Sequence, residues 1–128
     1  MNLSERDALA AYGRMLNTND VECVADLLVD DFRYCSQAVL TELVGKDEFL
    51  GYMQAKLSTI GKRADRPVAE LATLPTMMDR PCLVLSHNDT GEPICTVLAT
   101  VKGGRLSRVD LCLVPSPDMA TRTGEVPK

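Results

Sequence analysis

Tyr12, Tyr34 and Ser36 are the residues of this chain whose types and spacing best suit holding a small ligand. Tyr12 lies on an apolar helical stripe, where its hydroxyl needs a partner. That partner is a ligand if Tyr12 faces a pocket, or backbone and water if it is a core residue. Tyr34 and Ser36 are two apart in an extended run and therefore share a strand face. The trio suits binding or polarising a carbonyl better than removing a proton. Asp30-Asp31 has two readings, an acid pair or the solvated end of a helix. His87, the only histidine, carries the side chain most suited to acid–base work at neutral pH. It stands beside Asn88 and Asp89 at the mouth of a hairpin, on the face opposite Cys82 and Val84, where the plainer reading is a solvated turn residue.

The five cysteines (Cys23, Cys35, Cys82, Cys95, Cys112) are an odd number without a Cys-x-x-Cys pair. With a single histidine to complete a metal set, they argue against a zinc site. Each sits in an apolar segment as a small hydrophobe, so five reduced structural thiols in a cytoplasmic protein are expected, with no metal and no cofactor. The 14 basic and 18 acidic groups give a net charge of −4, which works against binding a nucleic-acid backbone. The densest basic stretch, Lys56 to Arg66, is broken by Asp65 and reads as solvated surface. No apolar run approaches the length that spans a membrane. The polar start, Met1 to Asp7, is unlike a signal peptide. At 128 residues the expectation is one domain over 1–114, followed by a flexible tail over 115–128.

The elements that must position these groups follow from periodicity. Ser4 and Asp7 resemble a capping box opening a helix to about Leu16, with Ala8, Ala11, Tyr12, Met15 and Leu16 as its stripe. A short second stripe, Cys23, Val24, Leu27 and Leu28, ends at Asp30-Asp31. Phe32 to Ser36 reads as a strand, followed by a loop to Gly45. Phe49, Tyr52, Met53, Lys56, Leu57 and Ile60 mark a third helix from Lys46. Period-two strands follow at 68–74, 82–87, 94–101 and 106–114. On the last, Ser107, Val109, Leu111 and Leu113 share one face, and Leu106, Arg108, Asp110, Cys112 and Val114 the other. Helices followed by strands mean α+β: three helices roofing a curved antiparallel sheet, with a cavity at its wide end. Met15 and Met53 suit either core or an adaptable pocket. Met77-Met78, in a loop after Pro75, suits a cover over the cavity or a partner surface.

The stretches Ala10 to Asp20, Leu27 to Phe32 and Gly45 to Phe49 resemble the nuclear transport factor 2-like superfamily, which includes SnoaL-like cyclases and ketosteroid isomerases. The resembling features are a helix ending in Leu-Asn-x-x-Asp, a second ending in Leu-x-x-Asp-Asp, and a glycine opening the third. The resemblance implies a cystatin-like cone over roughly residues 5–114. It further implies that Tyr12 matches the oxyanion-donating tyrosine of the isomerases. Ser36 holds the place of their general base, and Val97 that of their second aspartate. Two of three isomerase groups are therefore absent. The late-strand acid of the cyclases corresponds to Asp110, on the face opposite Val109, Leu111 and Leu113; a slip of one residue would turn it inward.

Together these readings point to a cofactor-free, homodimeric cone that binds a small hydrophobic molecule. Tyr12 and Asp110 are the candidate catalytic groups for isomerase, cyclase or dehydratase chemistry. Tyr12, Met15, Tyr34, Ser36, Tyr52, Met53, Val97, Val109 and Leu111 are the candidate lining. All five aromatic rings lie between Tyr12 and Tyr52, which makes an aromatic lid over an aliphatic floor. The alternative is a non-catalytic association module using the outer sheet face at Thr96, Leu98, Thr100, Arg108, Asp110 and Cys112.

Overall fold

Ser4 opens α1 (Glu5–Thr18) by accepting the Asp7 N–H on its hydroxyl at 3.0 Å, satisfying one orphan donor of the first turn. The helix closes where Asn19 enters the left-handed region at φ 58° and returns its N–H to the Met15 carbonyl. The computed structural model describes residues 2–39 and 41–128; Met1 and Leu40 lie outside the described residues. The expected stripe is buried, joined by Leu9. Gly13 is needed for close approach: a Cβ there would stand 3.2 Å from Pro127 and 3.3 Å from Leu83.

The second stripe forms only one turn, α2 (Glu22–Ala25), and β1 (Leu28–Ser36) begins four residues earlier than the sequence pattern suggests. Asp30 and Asp31 therefore lie inside a strand, both exposed, rather than at a helix end. A register shift between Leu28 and Arg33 lets two consecutive residues face solvent. That irregularity hid the period-two signal. Part of the expected loop before Gly45 is a strand, β2 (Thr41–Val44), paired antiparallel with β1. Gly45, at φ 111°, leads into α3 (Lys46–Ile60).

The remaining strands are β3 (Pro67–Leu74), β4 (Arg80–His87), β5 (Pro93–Lys102), β6 (Arg105–Cys112) and β7 (Thr121–Arg122). They form one seven-stranded sheet in the order β2-β1-β6-β5-β4-β3-β7. The sheet is mixed rather than purely antiparallel, because β1 runs parallel to β6. Register shifts between β5 and β6 and between β4 and β5 bend it further. The shift at Thr100 and Val101 also corrects the reading of the last strand. Leu106 is fully buried in the main core with Val109, not outward with Arg108. The helices and the inner sheet face share that core, which includes Leu9, Met15, Phe32, Phe49, Leu83 and Val97. No helix among the described residues is long and apolar enough to cross a membrane.

The last fourteen residues, expected as a flexible tail, form an ordered strap. Thr96 donates its hydroxyl to the Pro115 carbonyl at 2.8 Å. A 3-10 turn at Pro117–Met119 follows, and Ala120 packs on an outer apolar cluster of Ala72, Leu74, Cys82, Val84, Leu98 and Cys112. β7 then pairs with the edge of β3. Beyond it Leu71 exchanges backbone hydrogen bonds with Thr123 and Glu125, and Pro127 is buried against α1. The strap holds without much apolar content because the β3 edge offers backbone groups that need partners. It also buries Thr96, Leu98 and Cys112. Of the outer face proposed for association, only Thr100, Arg108 and Asp110 stay accessible.

Candidate functional site

Phe49 of α3 is the hub of an aromatic cluster beneath the helices. Its ring centroid lies 4.8 Å from Phe32, 5.5 Å from Tyr34 and 6.2 Å from Tyr12. Tyr34 also meets Tyr52 at 5.9 Å. Burial pushes the phenol pKa of Tyr12 well above its ordinary value, with neighbouring Tyr34 and Cys95 adding to the shift. Burial does the same to Tyr34, with neighbouring Tyr52 and Cys95 adding to the shift and the nearby Ser36 hydroxyl opposing it. Both phenols are therefore neutral donors within the core. Met15, Met53, Val97 and Val109 are fully buried in the same core.

An apolar cavity of about 270 Å³ lies beyond this cluster, between the C-terminal part of α3 and strands β3 to β6. Its apolar wall includes Ile60 from α3, Pro67 and Leu85 from β3 and β4, Ile94 and Cys95 from β5, and Leu111 from β6. Its rim carries Lys56, Arg63, Asp65, Arg66 and His87. Residues 61–66 form a short connection tied down just after β4: the Asn88 N–H donates to the Arg66 carbonyl at 2.9 Å. His87 Nδ1 lies 3.1 Å from the Asp65 carbonyl oxygen. A carbonyl only accepts, so Nδ1 donates, and in the neutral ring Nε2 keeps the lone pair.

Arg63 forks onto the Asp65 carboxylate, with both N–H···O distances at 2.9 Å. This hydrogen-bonded pair holds the Asp65 pKa below its ordinary value. Lys56 Nζ lies 5.7 Å from the Tyr52 ring centroid. Arg66 Nη1 is buried without a hydrogen-bond partner among the described residues. Cys95 is buried, which pushes its thiol pKa up to about 12, and it sits close enough to Tyr12 and Tyr34 to perturb both. It thus links the cavity wall to the aromatic cluster behind it. All five cysteines are free thiols.

Of the lining residues anticipated from sequence, the structure places Leu111 in this cavity. Tyr12, Met15, Tyr34, Met53, Val97 and Val109 are core instead; Ser36 is buried at the edge of a separate pocket that also involves Asp110 and Leu111, and Tyr52 is half-exposed on α3. Phe49 and its neighbours fill the space these side chains were expected to leave open. Asp110 is not in the cavity. It lies on the outer face, where Arg108 donates to both carboxylate oxygens at 2.9–3.1 Å. The groups that sequence reasoning passed over are Lys56, Arg63, Arg66, His87 and Cys95. One signal for His87 was present: opposite parity to Cys82 and Val84 puts it on the face of Leu83 and Leu85, which is the inner one.

No protein-family model matches the sequence, and none of the curated proteins compared with it is similar. Solved structures do match. An NTF2-like protein from Cytophaga hutchinsonii aligns at a TM-score of 0.58 with 14% identity, over 90% of this chain and 96% of its own. A SnoaL-like protein from Burkholderia thailandensis aligns at 0.56 with 17% identity, over 93% and 91% respectively. A protein with a ketosteroid isomerase-like fold from Catenulispora acidiphila, solved with trimethylamine, aligns at 0.52 with 14% identity over 88% and 86%. The chain therefore has the nuclear transport factor 2-like fold, an α+β cone. At these identities the likeness defines architecture, and chemistry has to come from the residues of the cavity itself.

Proposed function

We propose that this protein binds a small, largely apolar molecule in the cavity between α3 and strands β3 to β6. The observation that carries the reading is a cavity of about 270 Å³ lined mainly by apolar side chains, with four charged residues and one histidine among them. Such a pocket takes up the body of a ligand by apolar burial and orients it with a few polar groups. At roughly 30 Å³ for each water-sized unit, it accommodates about nine or ten non-hydrogen atoms. Binding fits the site better than turnover by the groups anticipated from sequence. Tyr12 is packed behind the wall, and Asp110 is on the opposite face of the sheet.

The test is thermal stabilisation by neutral ketones and alcohols of eight to ten carbons, compared between the native chain and Ile94→Trp, which fills the pocket. A ligand at a hundred times its Kd stabilises by about 2.7 kcal/mol. The native chain should show a saturable rise in Tm that Ile94→Trp loses. Equal responses in both proteins would place binding elsewhere.

A further inference from the structure

We infer that the ligand of this cavity is an amphipathic carboxylate, its chain in the aliphatic pocket and its head group on Arg66 and Lys56. This rests on the binding reading above and specifies the ligand class. Charge at the rim is unevenly compensated. Asp65 is already engaged by Arg63 through two hydrogen bonds of 2.9 Å. No carboxylate forms an ion pair with Lys56 or Arg66 among the described residues. Two cations thus stand without an anion at the mouth of an apolar pocket, in a chain whose net charge is −4.

Arg66 supplies the second argument. Its Nη1 is buried without an acceptor, although buried guanidinium donors are normally paired, because leaving one unsatisfied is unfavourable. The other guanidinium nitrogens also have no partner among the described residues and are accessible, so a ligand carboxylate in the cavity can pair with them. A guanidinium also presents its donors in a planar fork that matches carboxylate geometry. Lys56, held beside the Tyr52 ring, adds a second positive charge to the lining of the same cavity. A neutral head group would leave both cations unneutralised, and a cationic one would be repelled.

The experiment compares octanoate with octanamide, which has the same chain and number of heavy atoms but no charge, by calorimetric titration at low ionic strength and neutral pH. Octanoate should bind the native chain at least fivefold more tightly than octanamide. Arg66→Gln should bring that ratio below twofold. Lys56→Gln, on the half-buried side of α3, should lower the ratio as well and serves as the second variant if Arg66→Gln does not fold. A native ratio below fivefold, or a native ratio retained in the folded variants, overturns the inference. If octanamide binds but shows no disadvantage, the carboxylate assignment fails and the cavity reading stands. If neither compound binds, the cavity reading fails with it.

Discussion

Asn17→Ala is the substitution through which the packing of this cone is most directly measured. The Asn17 amide donates to the Ala69 carbonyl at 3.0 Å and to the Pro127 carbonyl at 2.6 Å, and accepts the Ala69 N–H at 2.8 Å. β3 is bordered by β7 only at Ala72 and Thr73, and Leu71 is served by the strap. Ala69, two residues earlier on the same edge, has no strand beside it there. The side-chain amide takes that strand's place, offering one donor and one acceptor as a backbone would. Each such bond contributes about 1 kcal/mol net, and an unpaired buried backbone group costs about 1–3 kcal/mol. Ala69 is fully buried, so losing all three bonds should lower stability by about 3 kcal/mol. Removing residues 126–128 deletes one of the three bonds and should cost about 1 kcal/mol for it, plus the packing of Pro127. Urea unfolding followed by circular dichroism measures both. A loss below about 1 kcal/mol for Asn17→Ala would refute the claim that this amide completes the β3 edge.

Alkaline pH should destabilise the fold. Cys95, Tyr12 and Tyr34 all have raised pKa values, through burial first of all. The unfolded chain therefore releases these protons before the folded one. For Cys95, stability present below its ordinary value of 9.0 should be lost as pH rises toward about 12, by up to about 1.4 kcal/mol per pH unit. Cys95→Ala should flatten that part of a stability–pH profile. Truncation after Val114 should uncover the outer cluster around Leu74, Val84 and Leu98; light scattering should then show association beyond that of the full chain at the same concentration. Asp110→Asn should leave the Tm shift produced by a cavity ligand unchanged, because its carboxylate pairs with Arg108 on the outer face. A lost shift would place that carboxylate at the site.

The helices and most strands were legible because their signals are local. Ser4 with Asp7, the stripe from Ala8 to Leu16 and the alternation along 82–87 each involve neighbours in sequence. The start of β1 was not legible, since a register shift set Asp30 and Asp31 side by side on the solvent side. The same cause turned Leu106 inward against its apparent parity. The strap was missed because hydrogen bonds to a β3 edge, rather than apolar side chains, hold much of it. Most of the expected lining residues lie one layer behind the cavity. Tyr12, Tyr34 and Ser36 do cluster, but Phe49 closes their space. The basic stretch from Lys56 to Arg66 looked like solvated surface because nothing local reveals that a helix end and a connection meet over a cavity.

The chain has no tryptophan, so Leu113→Trp, at the half-exposed rim of the cavity, installs a single indole where a ligand must pass. Titration with a neutral eight-carbon ketone should give a saturable blue shift of its emission at one ligand per chain. Val44→Trp, exposed on β2, should give none. A flat titration for Leu113→Trp, or the same shift from both positions, would contradict a ligand site in this cavity.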